Sequence, residues 1–232
     1  MTSTAVGQRV DIGKLRVALC RMSRRNLLSV AYRAIELVPR ARLGALVAGM
    51  VQLDPLTEGR RDAPSLLEQV RTFHDACLRG DYYDSFDVNS KNYMDTSEGT
   101  DAFMAEFERL IEKCIRASAK GPLSPVREAF ELLFGLLRRL DRDPESVVFF
   151  ADEGGSWQVG VDWRAALSAY FRCLADSASA EHFARQVDRV IADFADNDRI
   201  SHLATAQRVA NAQQRLVLRS LPAREQRRSP RA

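Results

Sequence analysis

Residues 126–140 read VREAFELLFGLLRRL. Val126, Phe130, Leu132, Leu133, Phe134, Leu136, Leu137 and Leu140 recur at helical spacing and cover a wide arc. A single apolar stripe needs one neighbour to cover it, whereas an arc this wide needs neighbours on two sides. The stretch therefore predicts a central core helix. Ser124–Pro125 marks its start, because serine caps and proline suits the first turn.

Outward from this helix, one pattern repeats. Phe103, Phe107, Leu110, Ile111 and Cys114 are spaced 4-3-1-3. Trp163, Leu167, Tyr170, Phe171 and Leu174 follow the same spacing, as do Phe183, Val187, Val190, Ile191 and Phe194. Each set places one apolar stripe on an amphipathic helix. Punctuation agrees with the stripes. Asp62 and Pro64 open a helix running to about Arg79, closed by Gly80. Thr100 with Asp101 starts the next, which ends near Gly121–Pro122. Asp162 caps the helix at Trp163. A helix after Ser179 runs to about Ala195, and another follows Asp198.

Composition points the same way. The 232 residues include only 12 Gly and 8 Pro, while Ala, Leu, Arg and Glu abound, which favours helix over a turn-rich β fold. The predicted class is all-α: antiparallel helix pairs packed as a bundle or short irregular superhelix. The matching stripes begin at 103, 163 and 183, so no constant repeat period exists.

Toward the N-terminus, Leu27, Leu28, Ala31, Ile35 and Val38 form one stripe. Leu43, Leu46, Val47, Met50 and Val51 form another beyond Pro39. These predict a basic helical hairpin at 9–53, able to cover its own apolar faces. A linker follows at 54–63 (DPLTEGRRDA), then a main helical domain at 62–219. The tail at 222–232 (PAREQRRSPRA) lacks any stripe and reads as disordered.

Charge is uneven. Residues 9–42 hold nine basic and two acidic residues, and 207–232 hold seven Arg and one Glu. The span 43–206 holds 18 basic and 28 acidic residues, so two basic ends flank an acidic middle. Arg21, Arg24, Arg25, Arg40, Arg42, Arg224, Arg227 and Arg228 are candidate contacts to a polyanion. Arginine pairs equally well with carboxylates, so the basic ends are also suited to folding back on the acidic middle.

Two segments, 81–101 and 143–162, are long for helix–helix connections. The first (DYYDSFDVNSKNYMDTSEGTD) is acidic and aromatic. Counted from Asp87, it sets Asn89, Tyr93, Asp95 and Glu98 at EF-hand positions, but Lys91 and Asn92 occupy positions five and six, which excludes that calcium loop. Tyr82, Tyr83, Phe86 and Tyr93 are expected to tuck against helices. The second holds DPESVVFFADEGGSWQVGVD. Pro144 after Asp143 favours a short helix to Asp152, while VVFF and WQVGV suit a hairpin around ADEGGS. Trp157 with Asp152 and Glu153 makes a candidate contact surface or small pocket, and gap filling by both indoles is the plainer expectation.

The four cysteines are far apart, each among apolar residues, and are expected to be buried reduced thiols. No phosphate-binding glycine loop, zinc cluster or nucleophile elbow is present in the sequence, so no cofactor or metal is expected. His74 and Cys77 share a helix face without further ligands, and His182 and His202 stand alone. The longest apolar stretch, 43–53, is about half a membrane span. With no signal-peptide core at the N-terminus, the expected location is the cytoplasm.

The leading functional expectation is a non-enzymatic helical module that binds another protein. Its candidate surface includes Tyr82, Tyr83, Asp87, Asp152, Glu153 and Trp157. One alternative is a nucleic-acid-binding protein using residues 9–42 and the Arg-rich C-terminus. A second is an enzyme with a site near Asp152, Glu153 and Trp157.

Overall fold

In the computed structural model, helices alone carry the architecture: no strand forms among the described residues, only a single antiparallel bridge. The structure describes residues 10–47, 50, 64–152 and 154–220. The helices are α1 (Ile12–Leu19), α2 (Arg24–Leu37), α3 (Arg40–Val47), α4 (Leu66–Arg79), α5 (Glu98–Ala117), α6 (Leu123–Arg142), α7 (Trp163–Ser177), α8 (Ala180–Phe194), α9 (Arg199–Val209) and α10 (Ala212–Ser220). None of them is long and apolar enough to cross a membrane.

The stretch at 126–140 forms the heart of α6. That helix packs against α4, α5 and α7, which its wide apolar arc requires. Phe130, Leu133, Leu137 and Leu140 are fully buried. The stripe on α5 buries Phe103, Phe107, Leu110 and Cys114, and that on α7 buries Leu167, Phe171 and Leu174. Trp163 stacks on Phe194 with ring centroids 4.9 Å apart and lies 6.1 Å from Phe134, tying the start of α7 to the end of α8.

Several boundaries differ from the sequence expectation, each for a capping reason. Ser65 starts α4 through a full capping box with Glu68. Ser97, three residues before Thr100, caps α5 by accepting from the Thr100 amide. Helix α6 begins at Leu123, so Ser124 and Pro125 lie within its first turn and are not its cap. Gly80 ends α4 with φ +82°, the left-handed cap that glycine tolerates best. The single helix expected after Asp198 is two, because Ala210 turns extended and Asn211 opens α10.

Part of the predicted N-terminal hairpin, residues 48–49 and 51–53, lies outside the described residues. Helix α2 packs along α5. The linker at 54–63 and the tail at 222–232 lie outside the described residues. Of the four thiols, Cys77, Cys114 and Cys173 are buried, but Cys20 follows α1 and is exposed, which corrects the expectation for that residue. Burial pushes the Cys114 thiol up to about 12 and that of Cys173 to about 11. His202 is also buried, and desolvation lowers its pKa from the ordinary value.

Candidate functional site

The two long segments, far apart in sequence, meet in space. The first is folded by its own asparagines. The Asn92 side chain accepts from the Asn89 amide at 2.6 Å and donates to the Asp87 carbonyl at 2.9 Å, while Asn89 accepts from the Lys91 amide. These side chains are spent on the loop's own backbone. Tyr82 turns inward, 5.4 Å from Phe73 and 6.0 Å from Phe103. Burial raises its phenol pKa above the ordinary range.

The second segment forms neither the expected helix nor the expected hairpin. A single 3-10 turn at Pro144–Ser146 uses the proline start and then stops. Val147 and Val148 are drawn fully into the core. Their neighbours pair with the first segment: Phe150 forms an antiparallel bridge with Thr96, and the Phe149 carbonyl accepts from the Thr100 hydroxyl at 2.6 Å. Phe150 thus finds its single bridge partner in the other connection, because burying Val147 and Val148 outweighs local hairpin closure. Tyr83 and Phe86 meet Phe149 edge-on, at 6.2 and 5.2 Å.

A second 3-10 turn, Ser156–Gln158, presents Trp157. It is held at its root. Asp141 on α6 accepts from both the amide and the hydroxyl of Ser156, at 2.8 and 2.9 Å. A Cβ on Gly154 would collide with the Phe150 ring, so glycine alone allows this close crossing. Arg25 on α2 donates to the Gln158 carbonyl at 3.1 Å, and Glu108 on α5 accepts from the Gly160 amide at 3.1 Å while pairing with Arg25. The indole of Trp157 is 73% exposed. It borders a shallow groove of about 200 Å³ lined by Tyr93, Met94, Asp95, Phe150, Asp152 and Gln158. Met94 is 80% exposed.

The two tryptophans therefore part company: Trp163 packs, partly buried, against the core and Trp157 does not. Among the predicted surface residues, Trp157 and Asp152 line the groove, and Tyr83 and Asp87 lie exposed on the first segment. Tyr82 is a packing residue. Glu153 lies outside the described residues. Tyr93 and Met94 complete the ledge but were not singled out as site residues. The available signal was a methionine in an otherwise polar run, DVNSKNYMDTSE.

The basic residues also separate. Arg24 pairs with Glu98, Arg25 with Glu108 and Arg33 with Glu112, all between α2 and α5. Arg21 and Arg42 are exposed. The side chain of Arg40, and all of Arg224, Arg227 and Arg228, lie outside the described residues. A larger cavity of about 800 Å³ opens among α2, α3, α4 and α5, lined by Tyr32, Leu43, Gln69, Arg109 and Lys113. Glu36 neutralises its basic wall, reaching Lys113 at 3.0 Å, Arg109 at 3.3 Å and Arg116 at 3.4 Å. Burial disfavours the Glu36 carboxylate, but Lys113 and Arg109 more than offset this and hold its pKa below the usual range. Arg109 also lies over the Tyr32 ring at 5.9 Å. The charged groups of this wall pair with one another, and Ile35, Val38, Leu43 and Pro64 make the rest of it apolar.

Comparison with known protein families, curated proteins and solved structures finds no match to this chain.

Proposed function

We propose that this chain is a protein-interaction module whose contact surface is the ledge joining the two long segments, with Trp157 as its anchor. One observation carries the reading: a large indole stands mostly in solvent on a backbone fixed by Asp141, beside an exposed methionine. Leaving such apolar area in water forgoes about 25 cal/mol per Å² that a partner's surface would recover. Rigid aromatic anchors of this kind dominate interface energetics. The groove is shallow and Asp152 is exposed, which favours binding over acid–base chemistry in an enclosed cleft.

A photo-crosslinking residue in place of Met94 tests this. The expected result is a discrete adduct to one protein, lost on Trp157→Ala, with the melting temperature unchanged. Crosslinking indifferent to Trp157→Ala overturns the reading, as does a Trp157→Ala chain that simply unfolds.

The nucleic-acid alternative keeps Lys14, Arg16, Arg21 and Arg42 as exposed cations, but Arg24, Arg25 and Arg33 already face carboxylates of α5. Labelled DNA and RNA, titrated at low and near-physiological salt, discriminate the two. Submicromolar binding that survives physiological salt, and weakens when residues 222–232 are removed, would put nucleic acid first.

A further inference from the structure

We propose that the ledge is occupied by helix α1 of a second copy of this chain, in a reciprocal two-fold dimer. This rests on the reading of the ledge as a contact surface and names its partner.

The first observation is an uncovered helix. No residue of α1 is buried. Ile12 and Leu15 lie one turn apart on one face and are 65% and 45% exposed. A short helix with no buried face is marginal by itself, so α1 is stabilised by whatever covers that face. Asp11 caps it, accepting from the Gly13 and Lys14 amides, so its start is well defined.

The second observation is charge. Lys14 and Arg16 lie on α1, and Arg21 follows it. The ledge has the opposite sign. Segment 81–101 holds six acidic residues and one lysine, and 143–162 holds five acidic residues and no basic one. Asp95 and Asp152 line the groove itself, beside Trp157 and Met94. A basic apolar helix and an acidic apolar groove are complementary in both respects, and attraction between them favours this pairing over like-charged alternatives.

The third observation is position. Four residues, 20–23, separate α1 from α2. The first turn of α2 is fastened to the ledge, with Arg24 on Glu98 and Arg25 on Glu108 and the Gln158 carbonyl. Four residues reach at most about 14 Å, so α1 and the ledge lie at the same end of the molecule. Yet α1 does not occupy its own groove: no α1 residue lines it. Amides of Arg21 and Met22 donate to the Ala18 and Leu19 carbonyls, continuing the chain in a tight turn that sets the course of α1. Two adjacent, mutually complementary patches on one surface pair with their copies about a two-fold axis, each α1 meeting the other chain's ledge.

Sedimentation velocity of the full chain, from low to high micromolar, provides the test. The expected result is a monomer–dimer equilibrium that weakens at high salt. Leu15→Glu and Trp157→Ala should each weaken association by about tenfold or more. Both side chains are exposed in the single chain, so thermal unfolding at concentrations where the chain is monomeric should not move. An equal mixture of the two variants should associate better than either alone, because one α1–ledge contact is then intact. A chain that stays monomeric throughout, or a dimer indifferent to both substitutions, overturns the proposal. A monomer that still needs Trp157 for crosslinking at Met94 would discard the dimer and keep the ledge as a surface for a different protein.

Discussion

Trp157 and Trp163 sit six positions apart, one in the second long segment and one at the start of α7, and do opposite things. Trp163 stacks on Phe194 and touches Phe134, while Trp157 stands in solvent above a turn pinned by Asp141. Truncating Trp163 removes ring contacts that nothing nearby can replace. Trp163→Ala should therefore cost about 3 kcal/mol in urea unfolding, against less than about 0.5 kcal/mol for Trp157→Ala. Iodide should quench Trp157 fluorescence and spare Trp163. Equal costs would mean that the Trp157 turn is part of the core. The helical spacing from Trp163 onward marked it as a core residue. Nothing local marked Trp157 as exposed, because its 3-10 turn depends on a carboxylate 16 positions upstream.

Elements are joined here by side chains that end one helix and begin another. Asn211 and Gln214 exchange hydrogen bonds with each other's amides at 3.0 and 2.9 Å, a reciprocal cap that opens α10. The buried Gln214 amide also donates to the Ala175 and Ala178 carbonyls at 3.1 and 3.0 Å, closing the end of α7. Gln214→Leu keeps the volume but strands two acceptors and the Asn211 amide. The expected loss is about 2 kcal/mol, with faster hydrogen exchange at the start of α10. No change would show that water replaces these bonds freely. The Asn-x-x-Gln spacing marks the break between α9 and α10, which the expectation of a single helix after Asp198 passed over. The helix start at Ser97 was placed three residues late, at Thr100 with Asp101. The failure of VVFF to form a hairpin was not readable, since the Thr96 partner of Phe150 lies some fifty residues away.

At the scale of the whole molecule, α2 is bound to α5 largely through ions. Glu36 serves Lys113, Arg109 and Arg116, and Arg24, Arg25 and Arg33 reach Glu98, Glu108 and Glu112. The folded pKa of Glu36 lies below its ordinary value, as does that of Glu98, where Arg24 is the cause. A depressed carboxylate stabilises the fold above its unfolded pKa. That contribution is lost as pH falls through the folded value. Stability should thus hold from pH 7 to about 5 and decline below about pH 4, with Glu36→Gln flattening part of the decline. Urea unfolding monitored across this range checks it, and an unchanged slope in Glu36→Gln would remove Glu36 from the linkage. Solvent screens such pairs and each contributes little alone, so the effect is expected from the network.

The sequence by itself determined the all-helical class, the central place of α6 and the caps at Gly80, Asp162 and Ser179. Those follow from periodicity and short-range hydrogen bonds, which a reader can count along the chain. It also indicated that the basic N-terminal segment was suited to turning back on the acidic middle, which α2 and α5 then do. Only the tertiary structure decided that α2 packs along α5, that Phe150 pairs with Thr96, and that Trp157 is left facing water. Each of those outcomes depends on which distant surface a segment reaches first and buries best. That contest is settled by the packing of the whole core, and no local spacing records it.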